Sequence, residues 1–277
     1  MPTLDSTVPA LLEPGRTRFR YVKELLQYAH LILSFAQRDV RARYRQTVFG
    51  AAWAVLQPFS LMLIFTLVFS RFARVPSDGV PYPLFAYSAL VFWTFFSSSL
   101  SQGTLAMTAN GALVRKIYFP RETLLLAVLL STSFDLAVAF TLFLALCAYF
   151  QLALTWAALW VIPLLLLQAL FTLALICFTS AVHVYYRDIA HGLPLLLQIW
   201  LFASPVVYPM SVVPASVLPW YRLNPMALLM EGYRRALLSG QGPDLAPLGV
   251  AFAGVLVLLI GAYLFFKRAE RTFADVI

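Results

Sequence analysis

Uninterrupted apolar runs of about 20 residues recur along this chain, and a helix of that length, rising 1.5 Å per residue, crosses a hydrocarbon core of roughly 30 Å. Runs at 51–70, 84–103, 124–149, 155–181, 190–208 and 247–266 read as six spans. Of the 277 residues, 61% are hydrophobic and only 12% charged, about half the charged share of a soluble domain. The expected fold is an all-α integral membrane protein, with residues 1–277 forming one transmembrane domain. Residues 1–50 precede the six spans of 51–266, and 267–277 form a tail.

Lys and Arg number 20 against 12 Asp and Glu. A basic excess can serve nucleic-acid binding, but here the charges cluster between apolar runs, so no nucleic-acid partner is expected. Six spans put both termini on one side, and that side carries 15 of the 20 basic residues. The positive-inside rule then makes both termini cytoplasmic. The first 50 residues hold eight Lys or Arg and no small-residue cleavage site, so a retained N-terminus is expected. Cys147 and Cys177 both lie inside apolar runs and imply no disulfide framework. No repeat at a period of 20 to 50 residues is visible.

From Phe19, the residues Val22, Leu25, Leu26, Ala29, Leu33 and Ala36 recur at three or four, with Arg18, Lys23, Glu24 and Gln27 between them. This is an amphipathic helix, placed along the membrane surface or against protein. Between the fifth and sixth spans, Val212–Tyr221 and Met226–Ser239 are apolar yet too short to cross, and Pro205, Pro209, Pro214, Pro219 and Pro225 interrupt the region. Two short re-entrant helices fit it, provided protein or a wet cavity shelters their backbone ends.

Few residues carry obvious chemistry. Asp135 lies deep in the third span, where a bare carboxylate is costly. The expectation is a structural carboxyl bonded to Ser131 or to another span, ahead of a proton-coupling role. His183, Asp188 and His191 lack a familiar ligand spacing and read as a polar loop, so no metal is expected. No G-x-x-x-x-G-K-[ST] loop and no aspartate pair occurs. If ATP drives this protein, another polypeptide hydrolyses it.

Arg38, Arg41, Arg43 and Arg45, with Tyr44 among them, form the densest basic cluster just before the first span. Such a cluster either retains the N-terminus inside or binds a phosphate-bearing anion, since guanidinium groups make paired hydrogen bonds to phosphate. Trp53, Phe59, Tyr87, Trp93 and Phe96 lie in spans, the last two beside Ser97, Ser98, Ser99 and Ser101. Rings and hydroxyls together suit sugar, and equally suit helix packing.

Several stretches resemble the membrane subunit of ABC type 2 exporters of lipid-linked polysaccharide, closer in pattern to O-antigen and teichoic acid exporters than to capsule exporters. They are Arg38-Asp39-Val40 with Arg43-Tyr44, Gly50, Trp53 and Pro58; Asn110 with Leu113, Lys116, Phe119, Pro120 and Arg121; Tyr186-Arg187-Asp188-Ile189; Ser204-Pro205-Val206-Val207-Tyr208; Asn224-Pro225-Met226 with Tyr233-Arg234; and the endings Phe265-Phe266-Lys267-Arg268 and Phe273-Ala274-Asp275-Val276-Ile277. The matches run from residue 38 to the end.

The resemblance implies a homodimer in the bacterial inner membrane, joined by two copies of a nucleotide-binding subunit that holds ATP and magnesium. This chain itself would carry no cofactor. A polyprenyl pyrophosphate-linked glycan would enter near Arg38, Arg41, Arg43, Tyr44 and Arg45. It would slide past Trp53, Phe59, Tyr87, Trp93 and Phe96. ATPase coupling would run through Arg115, Lys116, Phe119, Pro120, Arg121, Tyr186, Arg187 and Asp188. Ser204, Pro205, Tyr208, Asn224, Pro225 and Arg234 would build the outer re-entrant region. The alternatives are a teichoic acid or capsule exporter, a permease for drugs or small lipids, and a transferase acting on polyprenyl lipids. The missing carboxylate pair disfavours the last.

Overall fold

The computed structural model describes residues 28–117 and 119–277, apart from the side chains of 274 and 275. Among the described residues the chain is helices and connecting turns, with no strand. The amphipathic pattern that begins at Phe19 lies outside the described residues as far as Gln27. Its second half is α1, Ala29–Tyr44. The chain continues with α2 (Trp53–Phe65), α3 (Tyr82–Ala109), α4 (Gly111–Lys116), α5 (Glu122–Tyr149), α6 (Val161–Tyr185) and α7 (Ile189–Phe202). It closes with α8 (Leu218–Tyr221), α9 (Pro225–Leu237), α10 (Leu245–Ala269) and α11 (Phe273–Val276).

Among the described residues, five helical segments are long and apolar enough to cross a membrane: Gly50–Phe72, Tyr82–Ala109, Glu122–Tyr149, Trp156–Tyr185 and Leu245–Thr272. These match five of the six expected spans. The fifth expected span, 190–208, contains a helix of only 14 residues, α7, or about 21 Å of rise. The sequence stays apolar beyond Phe202, but the backbone leaves the helix there and turns through Ala203–Val207. Of the two expected re-entrant segments, Val212–Tyr221 supplies the four-residue α8 and Met226–Ser239 supplies most of the 13-residue α9.

α3 is the buried axis, packed along α5 and α6 and touched by α2, α7 and α9, while α10 lies against α6 and α1 runs along α5. Leu84, Phe85, Tyr87, Phe92 and Phe96 of α3 are all buried, as expected of a helix apolar on every side. α2 and α10 are peripheral. Leu56, Leu63 and Ile64 on one, and Val250, Val257 and Ile260 on the other, face outward, where hydrocarbon rather than water is the compatible solvent.

Small and hydroxylated residues set the closest approaches, as in other membrane bundles. A Cβ added to Gly103 would lie 2.6 Å from Ile176, so only glycine lets α3 and α6 come this near. Thr104 and Thr179 share a 2.7 Å hydrogen bond across the same contact, and Ser99 and Thr132 share one of 2.6 Å between α3 and α5.

Candidate functional site

The last turn of α1 is pinned into the bundle. Arg43 donates to Asp135 and to Gln102, and reaches the Ser131 hydroxyl at 3.4 Å. Tyr44 donates to the other oxygen of Asp135 at 2.6 Å. This alters the expectation for Asp135: its partners lie on α1, not at Ser131 or on another span. Ser131 instead donates to Val128 of its own helix. α1 is thus packed on protein, with Ala36 buried and Phe35 set edge-on to Phe119. Burial lowers the pKa of Arg43, with Tyr44 and Asp39 acting in the opposite sense, and raises that of Tyr44. The half-buried guanidinium therefore needs its counter-charge, and the phenol remains a donor.

Around this node lies a cavity of about 270 Å³ between α1, α2, α3 and α5. Its polar wall is Gln57, Thr94, Ser98 and Gln102, and its rings are Trp53 and Phe95. Trp53 is half exposed and held edge-on by Phe49. The other basic residues of α1 stay outside. Arg38 pairs with its neighbour Asp39 at 2.8 Å, while Arg41 and Arg45 are exposed and make no ion pair among the described residues. The expected cluster thus divides in two, for Arg38, Arg41 and Arg45 share one helical face by their spacing and Arg43 points to the opposite one.

The remaining expected ring residues are dispersed. Phe59 is partly buried. Tyr87, Trp93 and Phe96 pack inside the subunit, where Tyr87 donates to the Ala139 carbonyl at 2.9 Å and Phe96 stacks on Phe171 beside Trp200.

At the α4 end of the bundle two polar stretches are exposed, Arg115–Lys116 and Tyr186–Asp188. The C-terminal residues connect them. Ile277 packs under Gly111, and Arg121 donates to the Glu270 carbonyl and lies over the buried Phe273 ring. Tyr185 hydrogen-bonds Thr272. Phe119 is buried and Pro120 accepts from Thr123 at 2.7 Å. Sequence reasoning missed the adjoining ion cluster, in which Lys267 pairs with Glu122 and Glu270 and Tyr263 donates to Glu122. A Lys near one end of an apolar run and a Glu near the end of another were the only signals. His183 is buried while Asp188 and His191 are exposed, and no metal-capable group is gathered among the described residues.

At the other end, buried Arg234 of α9 donates to the carbonyls of Pro205, Val206 and Tyr208. These belong to the stretch that follows α7, where the helical ladder no longer satisfies them. The guanidinium carbon lies 3.7 Å from the Phe85 ring centre, and Tyr82 donates to the Val207 carbonyl. Asn224 caps α9 at Met226, accepts from Trp200 at 3.1 Å and donates to Ser204 at 2.9 Å. Pro225 begins that helix, and Tyr208 bonds Tyr221 at 2.6 Å. Gln168, also missed, joins three helices by donating to Phe92 at 2.8 Å and accepting from Tyr233 at 2.6 Å. It is a lone amide in an apolar run, which was its visible signal.

Comparison with known proteins agrees with this architecture. Residues 30–238 match the family described as ABC-2 type transporter. Among curated relatives, an O-antigen export system permease protein RfbA of Myxococcus xanthus is 34% identical over 93% of this chain and 99% of its own length. One from Klebsiella pneumoniae is 21% identical over 89% and 95%. The polysialic acid transport protein KpsM of Escherichia coli is 24% identical over 84% and 91%. The first two relatives are named as permease proteins and the third as a transport protein, and the chain belongs to the ABC-2 type transporter membrane family.

Proposed function

We propose that this permease, as a homodimer in the bacterial inner membrane, forms the channel by which O-antigen-type polysaccharide linked to polyprenyl pyrophosphate is exported. The observation that carries this reading is the end-to-end similarity to the Myxococcus permease, 34% over 93% of the chain. ATP and magnesium are held by two copies of a separate nucleotide-binding subunit. That subunit docks on the exposed Arg115–Lys116 and Tyr186–Asp188 stretches, which the C-terminal residues tie together. Both termini are cytoplasmic. The chain crosses six times, with α7 and the turns after it making the fifth crossing, and α8 and α9 forming the outer re-entrant region.

The exposed arginine face of α1 meets the pyrophosphate on the cytoplasmic side. The bore is lined from α2, through Trp53 and Phe59, while Tyr87, Trp93 and Phe96 stiffen the wall behind it. A capsule exporter is the second reading, favoured by the polysialic acid transport relative.

Deleting the gene tests the proposal. Loss of long-chain surface glycan, restored by complementation and with unchanged drug sensitivity, is the expected result. Unchanged glycan with raised drug sensitivity would point to a drug permease. Loss of capsule with intact O-antigen would select the second reading.

A further inference from the structure

A second cavity, of about 240 Å³, lies where α8, α9 and the start of α10 meet. Four charged side chains line it: Arg222, Glu231, Arg235 and Asp244. Arg235 and Asp244 are spent on each other as an ion pair. The further charges close to Glu231 are spent too, for Arg234 holds the carbonyls of Pro205, Val206 and Tyr208, and Asp78 accepts from Ser211. That leaves Arg222 and Glu231. Among the described residues neither makes an ion pair or a side-chain hydrogen bond, and they are not within ion-pair distance of each other. A partly buried carboxylate without a partner is costly, and the one unspent cation borders the same space. A ligand carrying both signs, its anion toward Arg222 and its cation toward Glu231, satisfies both at once.

Position selects the source of that ligand. Asp244 immediately precedes α10, whose Leu245 and Val250 are exposed and compatible with hydrocarbon. The cavity therefore sits at the level where this span enters the membrane, which is the depth of lipid headgroups. Trp220 and Leu223, on either side of Arg222 in the chain, are exposed, and an exposed indole is at home at a membrane interface. Leu218, Leu228 and Leu248 give the cavity apolar walls beside its charges. Its volume is below the roughly 300–1,000 Å³ of pockets that enclose a whole ligand, which suits a headgroup whose acyl tails lie outside. We propose that this cavity holds phosphatidylethanolamine, with Arg222 on the phosphate and Glu231 on the primary ammonium. The ammonium gives the carboxylate N–H donors that the quaternary nitrogen of phosphatidylcholine lacks, and phosphatidylglycerol brings no cation. Bound there, the lipid ties α8 and α9 to the start of α10. The site does not depend on the export cargo, and only its assignment to the outer leaflet rests on the proposed topology.

Native mass spectrometry of the purified full-length permease in detergent tests this, by titration with dioleoyl phosphatidylethanolamine, phosphatidylcholine and phosphatidylglycerol and with tailless glycerophosphoethanolamine. Phosphatidylethanolamine is expected to bind about tenfold more tightly than the other two lipids, as one further charge-assisted contact allows. Glu231→Gln should bring it down to the level of phosphatidylglycerol and leave phosphatidylglycerol no weaker, which also shows that the variant is folded. Arg222→Gln should weaken all three lipids. Equal binding of the three by the unaltered protein would overturn the site, as would a preference that survives Glu231→Gln or phosphatidylglycerol binding that Arg222→Gln does not move. Glycerophosphoethanolamine binding as tightly as the lipid would overturn the lipid in favour of a soluble zwitterion. Detergent carries no leaflets, so none of these outcomes depends on the topology.

Discussion

Tyr44 donates its phenolic proton to Asp135 at 2.6 Å, joining the end of α1 to the middle of α5 across 91 positions of sequence. Arg43 holds the other carboxylate oxygen, so one acidic residue anchors both of the last side chains of the helix. The anchor gives the carboxylate a structural role in fixing the end of α1.

Asp135→Asn should leave the Arg43 guanidinium without its counter-charge, and Arg43→Gln should strand the carboxylate. Each is expected to cost about 1–3 kcal/mol, below the roughly 3–5 kcal/mol of a fully buried pair because both side chains are partly exposed. The double substitution should cost less than the sum. Thermal unfolding of the four proteins in detergent, arranged as a double-mutant cycle, measures the coupling.

Gly103→Ala should push α3 from α6, because the new methyl meets Ile176, itself buried. The expected loss is about 1–3 kcal/mol, typical of overpacking. Pairing it with Ile176→Ala should restore much of the stability, which the same melts would show.

Tyr233→Phe removes the hydroxyl that Gln168 accepts from while keeping the ring stacked on Phe92. A loss of about 0.5–2 kcal/mol is expected, in the range of hydrogen bonds between membrane helices. Gln168→Leu should cost more, since it also frees the Phe92 carbonyl. Cross-linking yields between cysteines placed on α9 and α6 would report whether α9 loosens.

Phe273→Ala should weaken the C-terminal connection at Arg121 and Tyr185 without touching the exposed Tyr186–Asp188 stretch. In the complex with its ATPase, the expected outcome is continued nucleotide hydrolysis with reduced glycan export. Equal loss of both would instead indicate failed assembly.

Much of the fold was legible because hydrocarbon thickness imposes a length that the sequence displays directly. α3, α5, α6 and α10 fall where apolar runs place them. Within the fifth expected span the helix stops at Phe202 for a physical reason: Pro205 breaks the ladder, and Arg234, 26 to 29 positions away, satisfies the freed carbonyls of Pro205 and Tyr208. The site was less legible. The pairing of Arg43 with Asp135 leaves no periodic trace, and serine and ring content alone could not separate Ser98, which lines the cavity, from Ser99, which bonds Thr132.

Arg234 clasps three carbonyls while resting on Phe85 of the central helix, and Tyr82 grips a fourth in the same stretch. That end of the molecule is therefore a welded lid, without slack of its own. If the proposed export function holds, this end is expected to move as one piece, so that a substitution loosening it would change leakage before it changed transit rate.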